Sequence, residues 1–214
     1  MALFRMFTNY MQAVITGDIV NSTKLTLPRE KALIKALEQA LRPNKYEFYR
    51  GDSFQALIKE PGNSLRVALL CRSAAISITE NNKTDVKVSI GLGEVEERIK
   101  TLGAAKGEAF IISGRAFDEL EKTGVRLVIT AANSMANISF QIIADYVNSI
   151  FNGMTPKQAK VIFELLKGGL QQDVVKRLKK SKSTISQHAN SGRWGEIEKI
   201  LNQYELLVKA MEKI

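Results

Sequence analysis

The chain has 214 residues, 45% hydrophobic and 25% charged, the make-up of a folded protein with a sizeable core. Its 31 Lys and Arg against 22 Asp and Glu give a net charge of +9, which favours an anionic partner, nucleic acid above all. One cysteine, Cys71, excludes an intrachain disulfide, and there is no Cys/His spacing for zinc.

Arg5, Asn9 and Gln12 interrupt the mildly apolar N-terminus, so no signal peptide and no membrane span are expected, and the protein is read as cytoplasmic. The charge is uneven. Residues 1–148 hold 19 Lys/Arg and 16 Asp/Glu, whereas residues 149–214 hold 12 and 6. That asymmetry suggests two modules with different tasks.

In chain order, the apolar run of AVITGDIVNST (13–23) predicts a buried strand that ends by presenting Asp18. Pro28 suits the first turn of a helix carrying Leu33, Leu37 and Leu41 on one face. Residues 46–50 and 54–59 read as two strands around the tight turn Gly51-Asp52-Ser53, closed by Pro61-Gly62-Asn63. A helix over 64–78 follows, with Leu65, Ala68, Leu69, Ala75 and Ile76 as core positions and Cys71 as a buried thiol. Asn81-Asn82-Lys83 reads as a turn, and Val86, Val88 and Ile90 alternate as a strand running into Gly91 and Gly93. Residues 94–106 read as loop with some local helix, 108–122 as helix and 125–130 as strand. This order mixes hairpin and crossover connections and predicts an α+β fold with a mostly antiparallel sheet. Met135, Ile138, Ile142, Val147, Ile150 and Phe151 keep helical spacing in a connecting helix over 133–153.

Thr155-Pro156 is a cap followed by a first-turn proline. Helices are expected over 155–167, 171–178 and from Ser181, with Ile185 as the main buried residue of the last. A final helix over 196–211 carries an apolar stripe that completes the bundle or forms a dimer face. QQDVVKRLKKSKSTISQHA (171–189) resembles the helix-turn-helix of many bacterial regulators, departing from it at Lys179 and Lys180. The resemblance implies a C-terminal all-α domain (154–214) that binds double-stranded DNA as a homodimer. Lys179, Lys182, Ser183, Thr184, Gln187, His188 and Arg193 are then the contacts: hydroxyl, amide and imidazole groups for base edges, cations for phosphates. A basic bundle that docks protein is the competing reading.

Two Gly-Asp pairs, at Asp18 and Asp52, could share one site. Hard cations such as Mg²⁺ or Mn²⁺ take oxygen ligands of this kind and bridge to phosphates. AVITGDIVNST, FYRGDSFQALI, VSIGLGEV and GEAFIISGRAFDEL, in that order, resemble the SatD family and, more distantly, class III nucleotidyl cyclase catalytic domains. The resemblance implies a ferredoxin-like, cyclase-like sandwich over residues 1–132, with Asp18 and Asp52 on the metal. Ser22 and Thr23 would lie under a triphosphate and Arg115 would contact phosphate. Ile111 stands where an active cyclase has the Asn that orients ribose. The first reading is therefore a DNA-binding transcriptional regulator whose N-terminal domain senses a nucleotide or metal. The alternative is a divergent metal-dependent nucleotidyl cyclase or nucleotidyltransferase using Asp18 and Asp52.

Overall fold

The computed structural model describes residues 11–78, 84–96 and 99–212. The turn expected at Asn81-Asn82-Lys83 lies outside them. In chain order the elements are β1 (Met11–Val20), α1 (Leu27–Leu41), β2 (Lys45–Tyr49), β3 (Ser53–Ile58), α2 (Ser64–Ser77), β4 (Asp85–Glu94), α3 (Glu108–Glu121), β5 (Leu127–Ala131) and α4 (Ser134–Asn152). They continue as α5 (Pro156–Leu166), α6 (Gln171–Leu178), α7 (Lys182–Ser191) and α8 (Trp194–Met211). The expected α+β class and mostly antiparallel sheet are what the chain forms. The strand order is β2-β3-β1-β4-β5, antiparallel throughout except for the β4–β5 pair.

Alternation along each strand divides the sheet into two faces. Ala13, Ile15 and Ile19 of β1, Phe54, Ala56 and Ile58 of β3, and Val86, Val88, Ile90 and Leu92 of β4 enter the main core with α1, α2 and α4. Val14 and Leu57 point the other way and pack with Ala109 and Phe110 of α3. The helix α3 can lie on this second face because β4 is bare there: a Cβ on Gly91 would come within 2.5 Å of both Ala109 O and Ser113 N. The strand expected at Val86, Val88 and Ile90 runs into Gly91 and Gly93, with loop from residue 94. The pairing with β1 instead carries β4 on to Glu94, because these glycines face a helix rather than a turn.

The helix α2 is buried almost all round, between the sheet and α5. Its Arg72 is fully buried and gives a bidentate pair to Asp85 (3.1 and 2.8 Å) and a hydrogen bond to Asn148 Oδ1 (3.0 Å), with its guanidinium over the Phe151 ring. Burial pushes the Cys71 thiol up to about 12, in keeping with an inert core residue.

The helix expected to be a connector, α4, packs on β5 and sends Ala136, Phe140, Ala144, Val147 and Phe151 into the core. Met135, Ile138 and Ile142, which the helical spacing singled out, are exposed instead. From α5 onward the helices share that core. Tyr204 of α8 meets Ser64 at 2.7 Å, and Arg66 bonds the Leu166 carbonyl. The stripe of α8 (Ile197, Leu201, Tyr204, Val208) is used up in this packing and does not form the dimer face considered from sequence. The cap at Thr155 is present as read, with Gln158 returning a bond to the Thr155 N–H.

Adding a methyl group at Gly91 forces two backbones apart, so Gly91→Ala is expected to destabilise by about 1–3 kcal/mol. Gly114→Ala, a helical position of α3 with nothing within 4 Å of the new Cβ, is expected to stabilise by about 0.4–1 kcal/mol. Urea unfolding of the two variants measures the contrast.

Candidate metal and phosphate site

Two backbone devices present the two aspartates. Gly17 precedes Asp18 because the Phe54 ring lies over that position: a Cβ there would sit 2.4 Å from Phe54 Cζ. Gly51 precedes Asp52 because the β2–β3 turn is left-handed at both Arg50 (φ 51°) and Gly51 (φ 92°). The β1–β3 register then puts Asp18 opposite Ser53, and Ile19 N–H donates to the Asp52 carbonyl at 3.2 Å.

The side chains are cross-braced. Ser53 Oγ donates to Asp18 Oδ1 and Ser22 Oγ to Asp52 Oδ2, both at 2.8 Å. One oxygen of each carboxylate is thus held by a serine, while Asp18 Oδ2 and Asp52 Oδ1 take no hydrogen bond from the described residues. Burial pushes the Asp18 carboxyl above its ordinary range. The Ser53 bond opposes the rise, the Asp52 and Glu121 carboxylates add to it, and Lys87 offsets part. Lys87 faces Asp18 across β4 and ties its ammonium to the Glu121 carbonyl at the end of α3. Below the pair, on the same sheet face, Thr16, Gln55, Ser89 and Ser113 form a polar seam under α3.

The structure therefore brings Asp18, Asp52 and Ser22 together. Thr23 is exposed in the short turn after Ser22. Arg115 lines a different place, a groove of about 620 Å³ between α3, β5 and α4. Glu94, an acid that could have joined the pair, pairs with Met11 at the far end of β1, about 23 Å of strand away from Asp18. Ser53, Lys87 and Glu121 were not picked out as site residues. Ser53 adjoins the second Gly-Asp pair, so its nearness was open to inspection, but only the sheet register brings in Lys87 and Glu121.

Among the described residues no group of three or more His, Cys, Asp and Glu is placed to ligate a metal. A cation here would take two protein carboxylates and draw its other ligands from water and phosphate, which is how Mg²⁺ is commonly held.

In the C-terminal helices, Lys179 ends α6 in the left-handed conformation (φ 51°), and Ser181 caps α7 by accepting from Thr184 N–H at 3.1 Å. Ile185 and Ala189 of α7 are buried, while Lys182, Ser183 and Gln187 are exposed. Thr184, His188 and Lys180 line a cleft of about 410 Å³ with Lys157 and Lys160 of α5, two cations that sequence reading passed over. Two other cations are already engaged. Arg177 pairs with Glu164, and Arg193 pairs with Glu196 and stacks over Tyr146. Arg193 therefore does not join the free cations around the α6–α7 turn.

No protein-family profile matches the chain, and no curated protein matches it in sequence. Among solved structures, two of a bacterial light-regulated adenylyl cyclase are similar at 14% and 13% identity, with TM-scores of 0.44 and 0.43. They cover 56% and 57% of this chain, which spans 43% of each of theirs. The guanylyl cyclase Cya2 is similar at 13% identity with a TM-score of 0.42, over 56% of this chain and 74% of that one. Scores at this level assign no chemistry to the site. No helix among the described residues is long and apolar enough to cross a membrane.

The raised Asp18 carboxyl has a signed consequence. A group whose folded pKa is raised keeps its proton longer in the fold than in the unfolded chain. Its stabilising contribution is full only below the ordinary carboxylate range and is lost as pH rises through the folded value. At neutral pH, without metal, ionised Asp18 therefore costs stability. Asp18→Asn is expected to raise the melting temperature at neutral pH and to lose that advantage as pH falls into the carboxylate range. Thermal melts across pH in the presence of a chelator test this, and an unchanged or lower neutral-pH melting temperature contradicts it.

Proposed function

We propose that the Asp18–Asp52 pair holds a divalent cation, Mg²⁺ or Mn²⁺, that receives the phosphate oxygens of a nucleotide in a cyclase-like N-terminal domain. The observation that carries this reading is the convergence of two carboxylates, each braced by a serine through one oxygen, with the other oxygen unbonded among the described residues. Two like charges so placed are relieved by a cation. A bound Mg²⁺ would supply charge neutralisation and a bridge to phosphate. The chain's own part is positional. Ser53 and Ser22 fix the carboxylate planes, Gly51 permits the turn that presents Asp52, and the turn at Ser22–Lys24 lies beside the pair and could meet phosphate oxygens.

The order β2-β3-β1-β4 with antiparallel neighbours supports the ferredoxin-like reading of this domain. Ile111 and Arg115 temper the catalytic reading. The first lacks the amide that would orient ribose, and the second lines the α3–α4 groove. The pair supports binding of a metal–nucleotide complex more directly than cyclisation. Calorimetric titration with Mg²⁺ or Mn²⁺ and nucleoside triphosphates is expected to show metal-dependent binding that Asp18→Ala and Asp52→Ala each abolish. Absence of any metal- or nucleotide-dependent heat in the wild type contradicts the site. Conversion of triphosphate to product, lost in both variants, makes the protein an enzyme.

A second reading, DNA binding by a helix-turn-helix of α6 and α7, is favoured by one specific feature. Lys179 takes the left-handed conformation that lets α6 end and α7 start within three residues, where related motifs often use glycine. Lys182, Ser183 and Gln187 are exposed on α7, and Lys157, Lys160 and Lys180 line a cleft with Thr184 and His188 of the same helix, cations of the kind that neutralise phosphates. The N-terminal site would then sense a nucleotide or metal for a transcriptional regulator. On the full chain, Lys182→Ala is expected to weaken binding to a preferred duplex. Gln187→Ala, which removes an amide suited to a base edge, is expected to relax base preference by about 1–3 kcal/mol. Lys179→Ala is expected to weaken all sequences alike and lower the salt slope. Gel-shift titrations over a salt series measure these effects, and salt-independent or absent binding by the wild type contradicts this reading.

A further inference from the structure

The helix α4 has two apolar faces, and only one of them is covered. Phe140, Ala144, Val147 and Phe151 lie in the core. On the opposite face Met135, Ile138 and Ile142 are 76%, 61% and 66% exposed, with Tyr146 at 41% one turn further on. Isolated exposed apolar side chains are ordinary. A run of them along successive turns of one helix forms a contiguous patch, the kind of surface that marks interaction sites.

The charge pattern identifies the occupant. From Leu127 to Pro156 the chain has no Lys or Arg, and Asp145 is the only acid. This is a chain with 31 cations and a net charge of +9, so two copies repel over most of their surface. The outer face of α4 is where a second copy can approach without bringing like charges together. At its far end Arg193 and Glu196 lie against Tyr146 but are paired with each other, which leaves Asp145 as the one charge on α4 itself. The groove beside it is lined by Arg115, Glu119 and Asp145, with no ion pair between Arg115 and either acid, so the rim carries charges of both signs. A surface that is apolar at its centre and self-complementary at its rim is what a two-fold contact requires.

We propose that two copies of this chain associate through the outer faces of α4, packed as an antiparallel pair about a two-fold axis near Ile138 and Ile142. The helix is about 28 Å long, and the α3–α4 groove beside it adds to the area that a lasting dimer needs. The contact is independent of the metal and DNA readings, since it uses neither the aspartate pair nor the α6–α7 turn.

Light scattering and sedimentation of the full chain, free of metal, nucleotide and DNA, test it. The wild type is expected to be a dimer. Ile138→Lys and Ile142→Lys are each expected to weaken the dimer roughly 100-fold or more by placing like charges across the axis. Both positions are exposed, so the melting temperature of the separated monomer should stay close to that of the parent. Leu206→Lys, at a 61% exposed position on α8, is expected to leave the dimer intact. A monomeric wild type overturns the proposal, and so does a dimer that survives both α4 substitutions or is dissolved by Leu206→Lys.

Discussion

The pairing of β1 with β3 is the constraint on which the site depends. A strand shows alternate residues to opposite faces, so a slip of one residue would turn Asp18 into the core and bring Ile19 out beneath α3. The register is held from both sides: Ala13, Ile15 and Ile19 must enter the main core while Val14 packs under α3. With the register fixed, Asp18 stands against Ser53, and the turn that precedes Ser53 delivers Asp52. Hydrophobic burial along the strand thus brings two like charges together; the Asp18 carboxyl is raised chiefly by its own burial, and the Asp52 carboxylate adds to that rise.

The remainder of the fold supports this arrangement from two directions. On one face, α3 rests on the bare strip of β4 and brings Glu121 to the rim of the site, where Lys87 of β4 donates to its carbonyl. On the other face, α2 joins the sheet to the C-terminal helices. Its buried Arg72 would be an uncompensated charge without Asp85 at the start of β4, and Asn148 on α4 accepts a further guanidinium N–H. Asn148 in turn donates to the Leu127 carbonyl of β5. A change at the sheet can therefore be passed to α4 and the helices after it through packed and hydrogen-bonded groups. That continuity is a physical condition for coupling, and coupling itself requires a ligand that prefers one of two states.

Much of the fold was legible in the sequence because the strongest signals are local. Alternation marked β4, leucine spacing marked α1, and Thr155-Pro156 marked the start of α5. The two Gly-Asp pairs were readable as turn chemistry, but their approach to each other is a property of the β1–β3 register, which no local pattern specifies. Other long-range facts were hidden in the same way. Gly91 and Gly93 looked like the end of a strand, since nothing local says that a helix will cross them. In α4 both apolar sets have helical spacing, and the larger residues Met135, Ile138 and Ile142 drew attention away from Ala136 and Ala144. Small residues are buried there because the helix lies close on β5. A buried arginine at Arg72 has no signature at all, since its partners Asp85 and Asn148 are distant in sequence.

The most direct measurement of the central claim is anomalous diffraction from crystals grown with Mn²⁺. The account predicts a peak between the unbonded oxygens of Asp18 and Asp52, with Ser53 and Ser22 still holding the other two, and loss of the peak in Asp52→Ala. Two ordered carboxylates with no peak between them, or manganese bound only elsewhere on the chain, would contradict it.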